Sequence, residues 1–179
     1  MIIFMGVAGS GKSVQGRRLA DELGLPWLST GEFLRMLVSG ERRKAMVKGQ
    51  LLEDAEIIEL VQKILSLINS KEEFILDGFP RTPEQGDWLL SQVKHKQLKV
   101  SAVIHISASE DVVAKRLLSR GRPDDTTEAI RKRFEEYDKA IRPIIDDMKT
   151  AQIPVFDISG EGDIEQVHDE ILGAIRSVL

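Results

Sequence analysis

The sequence predicts an α/β sandwich: a parallel five-stranded central sheet with helices on both faces. Two observations carry this. Five short apolar runs, at 1–5, 25–28, 74–76, 100–106 and 155–158, are bounded by Gly, Pro, Ser or Asp and are mostly β-branched or aromatic. Continuous apolar runs of that length read as strands buried on both faces. Between them lie amphipathic stretches near 11–23, 31–39, 41–48, 54–69, 83–94, 110–120, 126–149 and 163–178. Strand alternating with helix gives a parallel sheet joined by right-handed crossovers. At 179 residues the chain is a single domain, 1–179. A chain of that size removes about 70% of its extended surface from water, enough for a sizeable core. Apolar residues at 42% and charged residues at 30% argue against disorder.

Each element has local support. The opening run, MIIFM, is cut short by Gly6 and has no basic flank, so it reads as a strand rather than a signal peptide. Gly24 followed by Pro26 stops the first helix. The helical tract 31–69 is long for a crossover and is the place for an inserted subdomain. Thr82-Pro83-Glu84-Gln85 is a capping box with Pro at the first helical position. Asp125 is expected to cap the long helix that follows, and Pro143 to kink that helix or end its first half. No window reaches the 18 or more apolar residues of a membrane span, so the expected location is the cytoplasm. A net charge of −4 argues against a nucleic-acid or membrane-surface partner. The absence of Cys excludes thiol catalysis, disulfides and Cys-rich zinc sites.

Three patterns carry chemistry. Gly6-Val7-Ala8-Gly9-Ser10-Gly11-Lys12-Ser13 matches GxxxxGK[ST], follows a strand and precedes a helix. Glycines there let backbone N–H groups turn around an anion, and the helix N-terminus adds its positive end. Lys12 would reach the β- and γ-phosphates, and Ser13 would hold Mg²⁺. Second, Phe74-Ile75-Leu76-Asp77-Gly78-Phe79-Pro80-Arg81 is a strand ending in a carboxylate, suited to holding Mg²⁺ through its waters. Arg81 beyond it lies at the carboxyl end of the sheet, where ligands bind in open α/β folds. Third, residues 115–133 hold seven basic side chains against three acidic ones, in a chain that is negative overall. Arg116 and Arg120, spaced i,i+4, share a helix face and repel unless an anion compensates them. His95, His105 and His168 share no ligand spacing, and Trp27 and Trp88 read as core.

With those residues placed, the sequence resembles the adenylate kinase family of nucleoside monophosphate kinases, from Met1 to about Gly162. The likeness rests on the P-loop, Ser29-Thr30-Gly31-Glu32-Phe33-Leu34-Arg35, Asp77-Gly78-Phe79-Pro80-Arg81 with Gln85, and Gly121-Arg122-Pro123-Asp124-Asp125 through Arg133. Lys48-Gly49-Gln50-Leu51-Leu52 is a weaker block. The resemblance implies a monomer that transfers phosphate from ATP to AMP with Mg²⁺ and without zinc. It implies two mobile subdomains, one at 30–58 over the monophosphate and a short lid at 121–125. For ATP it implies Gly9, Ser10, Gly11, Lys12, Ser13, Val14 and Gly160, with Arg116 stacked on the adenine and Arg120 near the phosphates. For AMP it implies Thr30 and Gln85 at the base, Arg35 and Arg81 at the phosphate, and Leu52 and Gly78 beside them. Lys12, Arg81, Arg120, Arg122 and Arg133 would act on the transferring group, Arg122 and Arg133 also touching AMP, with Ser13 and Asp77 at the metal.

The chain departs from the family pattern in several places. Ser13-Val14 stands where Gly-Thr is usual, Ala8 for a Pro, Glu32 for an Asp and Glu53 for a frequent Pro. The stretch between Arg35 and Gly49 is short. Gln85 also has a second expected use, as the fourth residue of the Thr82 capping box. Three alternatives stay open from sequence. A UMP/CMP-type kinase tends to carry Ala at the place of Thr30 and Asn at that of Gln85. A small-metabolite kinase of the gluconate type shares the loop but does not need the other blocks. A non-catalytic ATP-binding module would not need all the arginines.

Overall fold

A computed structural model describes residues 1–41, 52–122 and 125–178. The strands are β1 (Ile2–Met5), β2 (Trp27–Ser29), β3 (Ile75–Asp77), β4 (Ala102–Ser107) and β5 (Val155–Ser159). They form one parallel sheet in the order β2-β3-β1-β4-β5. The helices bounded within the described residues are α1 (Lys12–Leu23), α2 (Thr30–Leu37), α3 (Asp54–Leu65), α4 (Pro83–Lys94), α5 (Glu110–Arg120), α6 (Thr127–Thr150) and α7 (Ile164–Ile175). The expected helix 41–48 falls outside the described residues from position 42 onward.

β1 sits in the middle of the sheet, and every one of its residues is buried. Its alternate side chains feed two cores, as the two-residue period of a strand requires. Ile3 and Met5 join Leu76, Phe79, Leu89, Ile144 and Met148 beneath α3, α4 and α6. Ile2 and Phe4 join Leu19, Ile104, Val167 and Ile171 beneath α1 and α7. The crossover leaves β1 toward β2 on one side, while β4 lies on the other. That reversal opens a crevice at the carboxyl ends of β1, β3 and β4, where an open α/β sheet binds its ligand.

Two local expectations need correction. Pro143 does not end the long helix: α6 runs unbroken for 24 residues. Ile141, Ile144, Ile145 and Met148 are buried along it on both sides of the proline, and their burial outweighs one missing N–H. The cap of α6 is Thr126, whose hydroxyl accepts the Ala129 N–H, and not Asp125. Trp27 is partly exposed, with Arg17 stacked 4.4 Å over its ring, while Trp88 packs edge-on against Phe79. His168 is buried between Gln15 and Glu22, and Gln15 donates to the Ile164 carbonyl at 2.9 Å, which ties α7 to α1. Among the described residues no helix is long and apolar enough to cross a membrane.

Candidate active site

Between β1 and α1 the chain turns tightly through Gly9 (φ +90°) and Gly11 (φ +104°), conformations that favour glycine. Gly11 is the N-cap of α1, has no side chain to cap with, and no acidic residue follows in the first turn. The first N–H groups of α1 therefore have neither a capping oxygen nor a compensating charge, the condition under which a helix start takes an anion. Lys12, the first residue of α1, reaches back to the Val7 carbonyl at a long 3.4 Å. Burial pushes its pKa down to about 8; Asp77 opposes this, while Arg81, Arg120 and Arg35 add to it. A polyanion in the loop would reverse the shift, because it favours the charged form. The anion-bound protein then holds more protons than the free one above about pH 8, so binding weakens as pH rises. We expect the dissociation constant for ATP to be flat below that pH and to rise by up to about tenfold per unit above it. Titration calorimetry at pH 7 and pH 9.5 (about 2.5 units apart) checks this; equal affinities at the two pH values would contradict it.

β3 ends at Asp77, which is 1% exposed, and neither carboxylate oxygen has a hydrogen-bond partner among the described residues. An unpartnered buried carboxylate is costly unless something cationic or hydrogen-bonding meets it. It lines the same cleft as Ser13. The chain then turns at Gly78 (φ +84°), where a methyl group would lie 2.7 Å from an Arg81 nitrogen and 3.0 Å from the Thr30 hydroxyl. The Phe79–Pro80 peptide is cis. Thr30 donates its hydroxyl to the Gly78 carbonyl at 2.9 Å, which leaves its oxygen as an acceptor toward the cleft. Arg81 Nε donates to the same carbonyl at 2.6 Å, and its terminal nitrogens have no hydrogen-bond partner among the described residues. Arg35 lies beside it, both guanidinium groups approaching Gly31, with Glu32 bound to Arg35 at 2.8 Å. Glu32, the departure noted above, thus holds Arg35 from one turn away.

The basic segment folds around one carboxylate. Asp125, 7% exposed, accepts from Arg120 Nε at 2.9 Å and from an Arg120 terminal nitrogen at 2.7 Å. It also accepts the Arg122 N–H at 3.3 Å and lies 3.9 Å from Arg133. Burial pushes the Asp125 carboxyl up, but the arginines outweigh it and leave its pKa below the usual range. This is why Asp125 cannot serve as the cap of α6: its oxygens are committed to the arginines. Arg120, Arg122 and Arg133 share one wall of the cleft as a result. Arg116 rests over the loop, 3.3 Å from the Ser10 carbonyl. Gly160 packs so closely on the loop that a methyl group there would lie 2.4 Å from that same carbonyl oxygen.

Of the expected site residues, all but Ser10 line one cleft of about 1030 Å³, at the upper end of the size of ligand pockets. Ser10 is 1% exposed and turned inward, and its N–H is spent on Val7. Val14, half exposed, Leu52 and Gly11 are also at the cleft. Pro123 and Asp124 of the expected lid, and residues 42–51 of the expected subdomain, lie outside the described residues. Gln85 engages both ends of its amide within the protein. It does not close the capping box on Thr82: its oxygen accepts the Arg81 N–H at 2.8 Å, and its nitrogen donates to Asp54 at 2.7 Å. Asp54 and Tyr137 are among the lining residues that carried no sequence signal. Asp54 reaches Gln85 and Thr82 only through the packing of α3 on α4. Tyr137 stacks on His105 with its hydroxyl buried, and burial pushes its pKa far up, so it stays protonated.

Comparison with known proteins agrees with this geometry. The family model described as adenylate kinase matches residues 4–153. The chain is 38% identical to an adenylate kinase of Prochlorococcus marinus, over 99% of this chain and 98% of that one. It is 36% identical to an adenylate kinase of Corynebacterium urealyticum (97% and 98% covered). It is likewise 36% identical to adenylate kinase 1 of a Nostoc species (98% of each covered).

Proposed function

The chain belongs to the adenylate kinase family of nucleoside monophosphate kinases, and we propose how its own residues divide the work of that reaction, the reversible transfer of a phosphoryl group from ATP to AMP that yields two ADP. The observation that carries the assignment of roles is the convergence of Lys12, Asp77, Arg81 and the Asp125-bound arginines on a single cleft. Phosphoryl transfer asks the protein for positioning and for charge at the equatorial oxygens, and little else.

The loop N–H groups and Lys12 hold the donor phosphates, with Arg116 and the backbone at Gly160 at the donor base. Arg35 and Arg81 clamp the acceptor phosphate in fork geometry. Arg120, Arg122 and Arg133 face the group in transit. The buried, unpartnered carboxylate of Asp77 and the accessible hydroxyl of Ser13 fit a hydrated Mg²⁺ brought in with ATP. Asp77 and Ser13 would hold the ion there, and its charge would offset that of the donor phosphates. Ser13 supplies the hydroxyl that the family usually carries one position later, and Val14 presents methyls to the cleft instead. Residues 30–58 close over the monophosphate, and 121–125 serve as a short lid. The protein works as a monomer in the cytoplasm.

A short lid excludes water less completely than a long one. ATP with Mg²⁺ alone should therefore release ADP slowly but measurably, and adding AMP should speed ADP formation by orders of magnitude, two ADP per ATP consumed. Chromatographic counting of nucleotides tests this. Hydrolysis without acceptor as fast as transfer, or no transfer with AMP, would overturn the reading.

A further inference from the structure

We propose that Asp54 is a positioning residue for acceptor choice: it fixes the direction in which the Gln85 amide presents its donor and its acceptor. The inference rests on the reading of Gln85 as the group that meets the acceptor base.

Asp54 opens α3, and one of its oxygens receives both the Gln85 amide nitrogen at 2.7 Å and the Thr82 hydroxyl at 2.9 Å. From the other side, the Arg81 N–H donates to the Gln85 oxygen at 2.8 Å. These two partners leave no freedom in the amide's assignment. A backbone N–H only donates and must meet the oxygen; a carboxylate only accepts and must meet the nitrogen. A turned amide would set N–H against N–H and oxygen against carboxylate, losing both bonds. Gln85 is 3% exposed, so water does not replace them.

An amide carries two N–H donors and two oxygen lone pairs. With one of each committed, one N–H and one lone pair remain, in a fixed order along the cleft. Adenine offers an acceptor at N1 and a donor at its 6-amino group. A 6-oxopurine offers the reverse, a donor at N1 and an acceptor at O6. An amide free to turn would pair with either edge equally well. Held by Asp54 and the Arg81 N–H, it pairs with only one, so the selectivity attributed to Gln85 belongs to the Asp54–Gln85 pair. Asp54 need not touch the base.

The probe is acceptor choice between AMP and inosine monophosphate, which differ only at that edge. Asp54→Asn keeps the size but removes one of the two fixed partners: Asn can accept or donate, so only the Arg81 N–H still opposes a turned Gln85 amide. We expect the ratio of kcat/KM for AMP over inosine monophosphate to fall at least about tenfold, while KM for ATP and the melting temperature stay close to wild type. Asp54→Ala carries the same expectation for the ratio, with a lower melting temperature because the buried Gln85 N–H loses its partner. Gln85→Leu separates the two layers. A ratio that collapses in Gln85→Leu but holds in both Asp54 variants overturns the Asp54 role and keeps Gln85 as the reader. A ratio that holds in Gln85→Leu overturns both.

Discussion

Lys12→Ala is expected to lower kcat by about 10²–10³ and leave the fold intact. A donor that meets charge developing on the transferring group is worth roughly 3–4 kcal/mol in a water-poor site. Lys12 is placed for that contact: it opens α1 at the loop, and burial pulls its pKa down to about 8, a shift that an anion would oppose. Removing it relieves that burial cost, which is why stability should not suffer. Melting temperature and single-turnover phosphoryl transfer check the two halves. Near-normal turnover would mean that the loop does not hold the donor phosphates.

Arg133→Ala should lower kcat and kcat/KM together, by about 10²-fold or more, with KM for either nucleotide little changed, because a contact made mainly in the transition state has that signature. Arg133 approaches the cleft from α6, with Nε anchored on the Ala129 carbonyl at 3.2 Å and a terminal nitrogen 3.9 Å from Asp125. A variant in which only KM for ATP rises would reassign Arg133 to ground-state binding.

What was legible in the sequence was what is local. The strands announced themselves because parallel strands buried on both faces are continuously apolar. The loop, the Asp77-Gly78 turn and Thr82 were visible because turn and cap chemistry is written within a few residues. Strand order was not, since nothing in β1 states that β3 and β4 flank it. Pro143 does not end the helix because the burial of Ile141 and Ile144, which no local rule weighs, holds both sides of it in place. Asp125 misled for a related reason: its place before a helix suggests a cap, but three arginines from α5, α6 and the connecting turn claim it in space. Asp54 and Tyr137 had no signal, because each acquires its place at the cleft only when α3 and α6 dock on the sheet.

Acceptor choice tests the account most directly. Thr30 offers an acceptor oxygen, and Gln85 a fixed donor–acceptor pair, at the place assigned to the acceptor base. A polar group left unpaired by the wrong base costs roughly 1–3 kcal/mol, so two such contacts amount to about 10²-fold or more. The measurement is ADP formation from ATP and Mg²⁺ with AMP, GMP, CMP and UMP in turn, read as kcat/KM. The account predicts AMP ahead of each of the others by at least that factor; equal or faster turnover of CMP or UMP would contradict it.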